Sequence, residues 1–280
     1  MSETVYFNGA YVPYEQAVVS VEDRGMLFAD GIYEVVRAYG GRFFHIEGHL
    51  ERLVTSAAEI RLPLPSLDEL RAAMAGVFER SGLRDASVYV QVTRGHPGPR
   101  AHALPVRATP TCFAVARPVP APDPMHVAHG AAAVTIPDRR WHMCHVKSVG
   151  LLLNSLAKQA ALDAGAQEAL FVRDGVLTEG SATNAFSVTN GTLRTHPDGP
   201  HILPGITRQV VLELAERLGI SVRQQAVPLA DLYAADEVFV SGTNSEVLPI
   251  VSVDGRAVGA GHPGPVTRRL AEAFRDATRA

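Results

Sequence analysis

Lysine is almost absent from this chain: it occurs only at Lys147 and Lys158, and arginine supplies the other side-chain positive charges. The formal net charge is -3 and no cluster of basic residues stands out, which argues against a nucleic acid as the partner. Thiols are equally scarce, at Cys112 and Cys144. Their spacing matches neither a disulfide framework nor a metal site, so we expect two buried, reduced thiols and no bound metal.

Long apolar stretches are also missing. No uninterrupted apolar run approaches the roughly 20 residues that a membrane-spanning helix needs. The first residues lack the basic and apolar segments of a signal peptide. We therefore expect a cytoplasmic protein without membrane contact.

The chain does contain enough apolar residues for a large core, because 46% of its 280 residues are hydrophobic. Its first part alternates β-rich runs with tight turns such as Asn8-Gly9. A helical period follows over residues 46–60, and residues 66–69 have the form of a capping box that opens a second helix. Strands in hairpins with helices between them predict an α+β fold.

Proline is concentrated at residues 117–124, where the sequence RPVPAPDP has a proline at every second position. Because proline fixes φ and has no backbone donor, we expect an extended connector at this point. The sequence thus predicts a smaller N-terminal domain over residues 1–118, a linker at 119–125 and a larger C-terminal domain over 126–280.

Lys147 is the stronger candidate for a nucleophilic amine. Apolar residues flank it, and it stands shortly before a helical segment, so a rigid backbone can present its side chain to a cleft. Lysine attacks a carbonyl group only when neutral, and burial or nearby positive charge lowers its pKa toward that state. Most lysines are instead solvated at the surface, as we expect for Lys158 within its helix. A Schiff-base lysine alone fits an aldolase as well as a pyridoxal phosphate (PLP) enzyme.

Three further features favour PLP. Residues 203–208, Leu-Pro-Gly-Ile-Thr-Arg, precede an amphipathic helix whose free N–H groups can bind a phosphate, and Thr207 adds a hydroxyl donor. Residues 241–244, Ser-Gly-Thr-Asn, offer a second donor-rich loop, although both segments also fit ordinary turns. Arg52 can neutralise the phosphate, or it is an exposed helix arginine that pairs with Glu51 or Asp23.

Glu179 is the candidate partner of the pyridine nitrogen. PLP withdraws electrons best when that nitrogen is protonated, and a carboxylate beside it keeps the proton in place. Small residues surround Glu179 in Thr-Glu-Gly-Ser-Ala-Thr-Asn at 178–184, so a flat ring can approach closely. The alternative is a solvated glutamate in a turn.

Taken in order, these motifs resemble the fold-type IV PLP enzymes, the class of the branched-chain and D-amino-acid aminotransferases and aminodeoxychorismate lyase. The resemblance covers nearly the whole chain. Within the class, residues 29–36 (Ala-Asp-Gly-Ile-Tyr-Glu-Val-Val) and 92–102 are similar to the D-amino-acid branch. Leu152 also favours the D-amino-acid branch, since branched-chain enzymes commonly have a tyrosine at that position.

The resemblance implies a smaller N-terminal α/β sandwich, a larger C-terminal pseudo-barrel that binds PLP, and a homodimer. It implies transamination between a D-amino acid such as D-alanine and a 2-oxo acid, 2-oxoglutarate or pyruvate, with the cofactor held as a Schiff base. The implied substrate-carboxylate site is Tyr33 with Arg100 and His102, the last two reaching in from the partner subunit, and charge-assisted bonds suit that task. The implied cofactor-binding residues are Arg52, Lys147, Glu179, Leu203, Ile206, Thr207, Gly242 and Thr243.

Three departures and several rival functions stay open. The loop at residues 96–99 looks longer than the family form, and Ala182 and Gly242 stand where serine is common. Rival activities on the same scaffold are L-branched-chain aminotransferase, (R)-amine transaminase and aminodeoxychorismate lyase. A non-enzymatic PLP-binding protein is a further alternative.

Overall fold

The computed structural model describes residues 3–119 and 122–279. Its helices are α1 (Arg24–Phe28), α2 (Ile46–Glu59), α3 (Leu67–Ser81), α4 (Pro124–His129), α5 (Leu152–Asp163), α6 (Ile206–Arg217), α7 (Leu229–Tyr233) and α8 (Pro265–Arg279), with a short 3₁₀ helix at Tyr14–Gln16. Its strands are β1 (Thr4–Phe7), β2 (Ala10–Pro13), β3 (Gly31–Tyr39), β4 (Arg42–Phe43), β5 (Ala86–Thr93), β6 (Thr111–Pro118), β7 (Ala131–Pro137), β8 (Glu168–Arg173), β9 (Val176–Gly180), β10 (Asn184–Thr189), β11 (Thr192–Thr195), β12 (Val222–Gln224), β13 (Val227–Pro228), β14 (Glu237–Gly242), β15 (Glu246–Val253) and β16 (Arg256–Ala257).

The chain forms two compact units. The first comprises Met1–Val119 together with Val146–Gly150, and the second comprises Pro120–His145 and Leu151–Ala280. The short segment that carries Lys147 therefore belongs to the first unit. The predicted domain limits remain a prediction. Within the stretch that we expect to be an extended connector, Pro124 already begins α4, after an N-cap at Asp123.

The first unit is an antiparallel sheet in the order β2-β1-β6-β5-β3-β4. Alternate residues of the long strands, such as Ile32 and Val88, are fully buried on the face that α2 and α3 cover. The capping box holds α3 in place, because Ser66 Oγ accepts a hydrogen bond from Glu69 N at 3.1 Å. Gly82 ends that helix with φ of 65°, a left-handed conformation that favours glycine.

The second unit is a mixed sheet in the order β12-β11-β10-β14-β15-β7-β8-β9-β13, with β16 beside β15. The strands β15, β7 and β8 run parallel to one another. The other neighbouring strands of this sheet are antiparallel, except for β11 and β12, which are parallel. Helix α5 covers one face through Ala157 and Ala161, which lie in one buried apolar cluster with Phe171. The predicted α+β fold with two sheet-based parts is confirmed.

Two smaller expectations also have an outcome. Cys112 and Cys144 are free and buried, as expected. Across residues 3–119 and 122–279, no helix has the length and apolar character needed to cross a membrane.

Candidate active site

Lys147 is held by its backbone along the beginning of β3. Its carbonyl oxygen accepts a hydrogen bond from Tyr33 N at 3.0 Å, and Val149 N donates to the carbonyl of Gly31 at 3.1 Å. Lys147 N donates to Ser56 Oγ of α2 at 3.1 Å. The segment is therefore fixed on both sides although it is not itself a strand.

The side chain of Lys147 is half-buried and ends over an aromatic ring. Its Nζ lies 4.3 Å from the centroid of Tyr33, a distance at which a cation is attracted to the ring. In the part of the chain that the structure describes, this amine has no hydrogen bond or ion pair. A nitrogen with no competing partner is available to form a covalent bond.

Lys158 is different, and the expectation of a solvated surface lysine is wrong for it. It is half-buried in α5, and its Nζ donates a hydrogen bond to the carbonyl oxygen of Gln167. That bond ties the helix to the loop that follows it. Lys158 is thus occupied by a structural role, which leaves Lys147 as the side-chain amine that is available for chemistry.

Arg52 is buried in an ion-pair cluster and is not the exposed arginine of the alternative interpretation. Its Nε and Nη2 donate to the two carboxylate oxygens of Glu34 at 2.7 and 2.8 Å. His49 Nδ1 lies 2.7 Å from the same carboxylate. Arg52 stands one helical turn before Ser56, so α2 brings this cluster close to the backbone of Lys147.

The charges of this cluster are set by burial and by its two partners. Burial acts to raise the pKa of Glu34, but the Arg52 guanidinium and the bond to His49 outweigh it and hold the pKa at about 2. Burial lowers the pKa of His49, and the positive charges of Arg52 and Lys147 lower it further. Glu34 acts to raise the pKa of His49 but does not outweigh them. We infer a neutral His49 beside an ionised Glu34.

This ion pair makes stability depend on pH. Because the pKa of Glu34 falls from 4.5 to about 2 on folding, its contribution is present above pH 4.5 and is lost as the pH falls toward 2. The size is on the order of 3 kcal/mol. We expect the unfolding free energy, measured in urea from pH 6 to pH 3, to fall more steeply in the wild type than in Glu34→Gln. Equal slopes would contradict the assignment.

Arg100 and His102 lie together on an exposed loop of the first unit. The Arg100 guanidinium carbon is 4.8 Å from the centroid of the Phe28 ring, and the ring of His102 is 5.4 Å from it. Tyr33 stacks instead on Tyr89, with 5.4 Å between ring centroids. Within residues 3–119 and 146–150, no hydrogen bond or ring contact joins Tyr33 to either loop residue.

Glu179 lies on β9 of the second unit and is only 5% exposed. Its Oε1 accepts from Arg140 Nη1 at 2.5 Å, and its Oε2 accepts from Leu203 N at 2.9 Å and from Asn184 Nδ2 at 3.2 Å. The alternative of a solvated turn is therefore wrong. Burial raises the pKa of the Glu179 carboxyl group, while the adjacent Arg140 acts against the rise.

Arg140 is a neighbour of Glu179 that the sequence did not reveal. Its guanidinium also makes a two-bond contact with Asp138, at 3.0 Å for each bond. Two arginines stand side by side at 139 and 140, and nothing in the sequence says which one turns inward. Arg140 fixes the carboxyl group of Glu179 from the side and balances its charge.

The beginning of α6 has the features of an anion site. Its N-cap, Gly205, supplies no side-chain hydrogen bond, yet Ile206 and Thr207 of the first turn are buried. In contrast, Glu237 accepts hydrogen bonds from Val266 N and Thr267 N in the first turn of α8. A buried helix start without a cap needs an acceptor for its N–H groups, and a phosphate can fill that role.

Asn184 connects this helix start to Glu179. Its amide donates to the carbonyl of Leu203 at 2.8 Å and to the Glu179 carboxylate. A Cβ at Gly205 would overlap Asn184 Oδ1, so a larger residue would push Asn184 away. The position of the helix start relative to the carboxylate therefore depends on glycine at 205.

The two positions that depart from the expected serine pattern are neighbours. A Cβ placed on Gly242 would lie 3.3 Å from the carbonyl oxygen of Ala182. Gly242 ends β14, and Thr243 follows it. Both missing hydroxyl groups thus fall at one place in the second unit, beside the strand pair β10 and β14.

These features match the needs of one type of cofactor: an amine without a hydrogen-bond partner, a buried carboxylate and an uncapped helix start. The family comparison agrees. The chain belongs to the class IV aminotransferases, because the family described as Amino-transferase class IV matches residues 31–253. It is accordingly an aminotransferase that uses PLP.

Individual relatives make the similarity more specific. The chain is 40% identical to D-alanine aminotransferase of Bacillus licheniformis over 97% of this chain and 96% of that protein. It is 42% identical to D-alanine aminotransferase of Listeria monocytogenes strain 10403S, over 96% and 94%. Among solved structures, Escherichia coli branched-chain amino acid aminotransferase matches with a TM-score of 0.92 at 32% identity, covering 99% of this chain and 94% of that one. The branched-chain amino acid aminotransferase of Thermobaculum terrenum, solved in its PLP form, matches with a TM-score of 0.87 at 28% identity and the same coverage.

Proposed function

We propose that this protein transfers the amino group of a D-amino acid such as D-alanine to a 2-oxo acid, 2-oxoglutarate or pyruvate. The observation that carries the proposal is its identity of about 40%, over nearly its whole length, to D-alanine aminotransferases. The solved neighbours that are branched-chain amino acid aminotransferases share the fold at 28–32% identity. They make L-branched-chain transamination the second candidate.

In the proposed mechanism, Lys147 Nζ would hold the cofactor covalently, and the same amine would serve as the base beside the substrate Cα. PLP, when bound, supplies an electron sink that stabilises negative charge at the substrate Cα. The amine of Lys147 would remove the substrate Cα proton as a general base and later give it up as a general acid. Its backbone bonds to Ser56 and Tyr33 keep Nζ at the same place for both proton transfers.

The remaining residues orient the groups around that proton transfer. Glu179 would keep the pyridine nitrogen protonated, and Arg140 acts against the effect of burial to keep this carboxylate ionised. Ile206 and Thr207 would hold the phosphate through the free N–H groups at the beginning of α6. Leu203, Gly242 and Thr243 are the other residues that we propose to hold the cofactor. Arg52 is the proposed counter-charge for the phosphate, and its ion pair with Glu34 offsets part of its positive charge.

Substrate recognition rests on its carboxylate. Tyr33, Arg100 and His102 supply a phenol, a guanidinium and an imidazole, which are the donors that a carboxylate accepts best. We propose that Arg100 and His102 serve the site of the partner subunit. Both side chains are exposed on their own chain. There the Phe28 ring contacts the guanidinium of Arg100 and the ring of His102.

A homodimer is part of this proposal, and an exposed helix face supports it. On α5, Leu152 is 71% and Leu156 is 57% exposed, and Leu153 is exposed beside them. Contiguous apolar surface of this kind is usually covered by a partner. Sedimentation of the holoenzyme should give twice the 30.0 kDa of one chain. We also infer a cytoplasmic location, which two unpaired thiols support.

The direct test is a half-reaction with single amino donors. Holoenzyme is mixed with D-alanine, L-alanine, L-leucine or an (R)-amine without any 2-oxo acid, and the visible cofactor band is followed. We expect D-alanine to convert the cofactor to its amine form faster than the other donors do. Faster conversion by L-leucine would favour the branched-chain candidate. Release of pyruvate from aminodeoxychorismate would identify a lyase, and no conversion by any donor would identify a carrier.

A further inference from the structure

Asp23 and Arg24 lie outside the proposed catalytic set, yet both hold the loop that carries Arg100 and His102. We call residues 94–110, between β5 and β6, the carboxylate loop. Asp23 is 1% exposed. Its Oδ2 accepts from Thr93 Oγ1 at 2.9 Å and from Thr111 Oγ1 at 2.7 Å, the last residue of β5 and the first of β6. Asp23 therefore closes the base of the loop.

Arg24 holds the middle of the same loop. Its Nη1 donates to the carbonyl oxygen of Ala101 at 2.6 Å and lies 3.4 Å from that of Ala103. These two carbonyls flank His102, and Ala101 directly follows Arg100. In the described part of the chain, the hydrogen bonds that reach residues 97–108 both come from this guanidinium. A loop rich in glycine and proline would otherwise have no fixed backbone at its tip.

The guanidinium of Arg24 is itself fixed. Its Nε donates to Asp30 Oδ2 at 2.7 Å, and Arg94 makes two bonds with the same carboxylate, at 2.7 and 2.9 Å. Arg94 also donates to the carbonyls of Ile60 and Arg61, where α2 ends. All three charged side chains are nearly buried, so the cluster has little freedom to rearrange.

A ring on the same short helix aligns the two loop side chains. Phe28 lies one turn after Arg24 on α1, and the Arg24 guanidinium carbon is 4.6 Å from its centroid. Arg100 and His102 contact the same ring. Backbone bonds on one side and a shared ring on the other thus determine where both side chains point.

We infer that Arg24 is a positioning residue for the substrate carboxylate, which acts by fixing the backbone on both sides of His102 and so the direction of Arg100 and His102. This inference rests on the proposed role of those two residues. It extends the site to a residue that touches neither substrate nor cofactor. A misplacement of about 1 Å in a binding group can cost about 100-fold in rate.

The test compares Arg24→Ala with Arg100→Ala in the D-alanine half-reaction of the holoenzyme. We expect Arg24→Ala to raise the substrate concentration at half-maximal rate by about 10- to 100-fold and to leave the limiting rate nearly unchanged. The loss in the double variant should be smaller than the product of the two single losses, because Arg24 acts in part through Arg100. Arg107→Ala is the matched control: it changes an exposed arginine of the same loop and should leave both parameters unaltered.

The outcomes separate the two levels of the proposal. If Arg100→Ala weakens D-alanine binding and a folded, PLP-loaded Arg24→Ala does not, the inference about Arg24 is overturned and the proposed function stands. If Arg100→Ala has no effect, the carboxylate site itself is misassigned. If Arg24→Ala does not retain PLP, Arg24→Lys is measured instead. An ammonium group lacks the planar fork that joins Asp30 to the loop carbonyls, so weaker D-alanine binding is still expected, and unchanged binding overturns the inference.

Discussion

Arginine in place of Lys147 is expected to lower the rate of transamination by at least about 10³-fold, because in the proposed mechanism this residue provides both the covalent link and the proton transfer. Arginine keeps the positive charge over the Tyr33 ring, which Lys147 Nζ approaches to 4.3 Å. It cannot act as a nucleophile or base, since the guanidinium stays protonated in proteins. The loss would therefore report the chemistry of the amine rather than its charge.

The measurement is the D-alanine half-reaction, with Lys158→Arg as the matched control. Arginine at 158 can still donate to the carbonyl of Gln167, so that variant should retain its rate. Borohydride reduction of the wild-type holoenzyme followed by digestion should place the label on Lys147. A label on Lys158, or normal turnover by Lys147→Arg, would refute the assignment.

Glutamine in place of Glu179 is expected to reduce the limiting rate by about 10²-fold, because it removes the charge that we propose keeps the pyridine nitrogen protonated. Glutamine keeps the shape, and its amide oxygen can still accept from Leu203 N, the donor that now lies 2.9 Å from the carboxylate. Arg140 would keep its two bonds to Asp138, which limits the cost of the lost charge pair.

Stopped-flow measurement of the cofactor band under saturating D-alanine gives the limiting rate directly. Glu213→Gln is the control, because it makes the same substitution on the exposed face of α6. Cofactor content is measured on each variant by absorbance. An unchanged limiting rate in fully loaded Glu179→Gln would show that this carboxylate does not serve the ring nitrogen.

Local signals in the sequence were sufficient for most regular elements. The capping box at Ser66 sets the beginning of α3 where the pattern predicts it. The helical period at 46–60 corresponds to α2 with one residue of difference. By contrast, α1 and α7 have five residues each, too few for a period to be visible, and they are stabilised by contacts from elsewhere in the chain.

Partners across long sequence distances explain what the sequence left open at the site. Arg52 pairs with Glu34, which lies 18 residues earlier on β3, rather than with its neighbour Glu51. Arg140 reaches Glu179 across 39 residues. Such pairs follow from how helices pack on sheets, and no spacing rule within one segment encodes them. The residue types that carry chemistry were visible in the sequence; the ion pairs that surround them were not.

The scarcity of lysine has a practical consequence for handling this protein. Acylating reagents, amine crosslinkers and lysine-specific proteases meet only two side-chain targets, and one of them, Lys158, is half-buried and bonded to the Gln167 carbonyl. Full cleavage at both sites would excise the peptide 148–158, which includes the exposed leucines at 152, 153 and 156. The appearance of that peptide would be a simple gauge of how often α5 opens around Lys158.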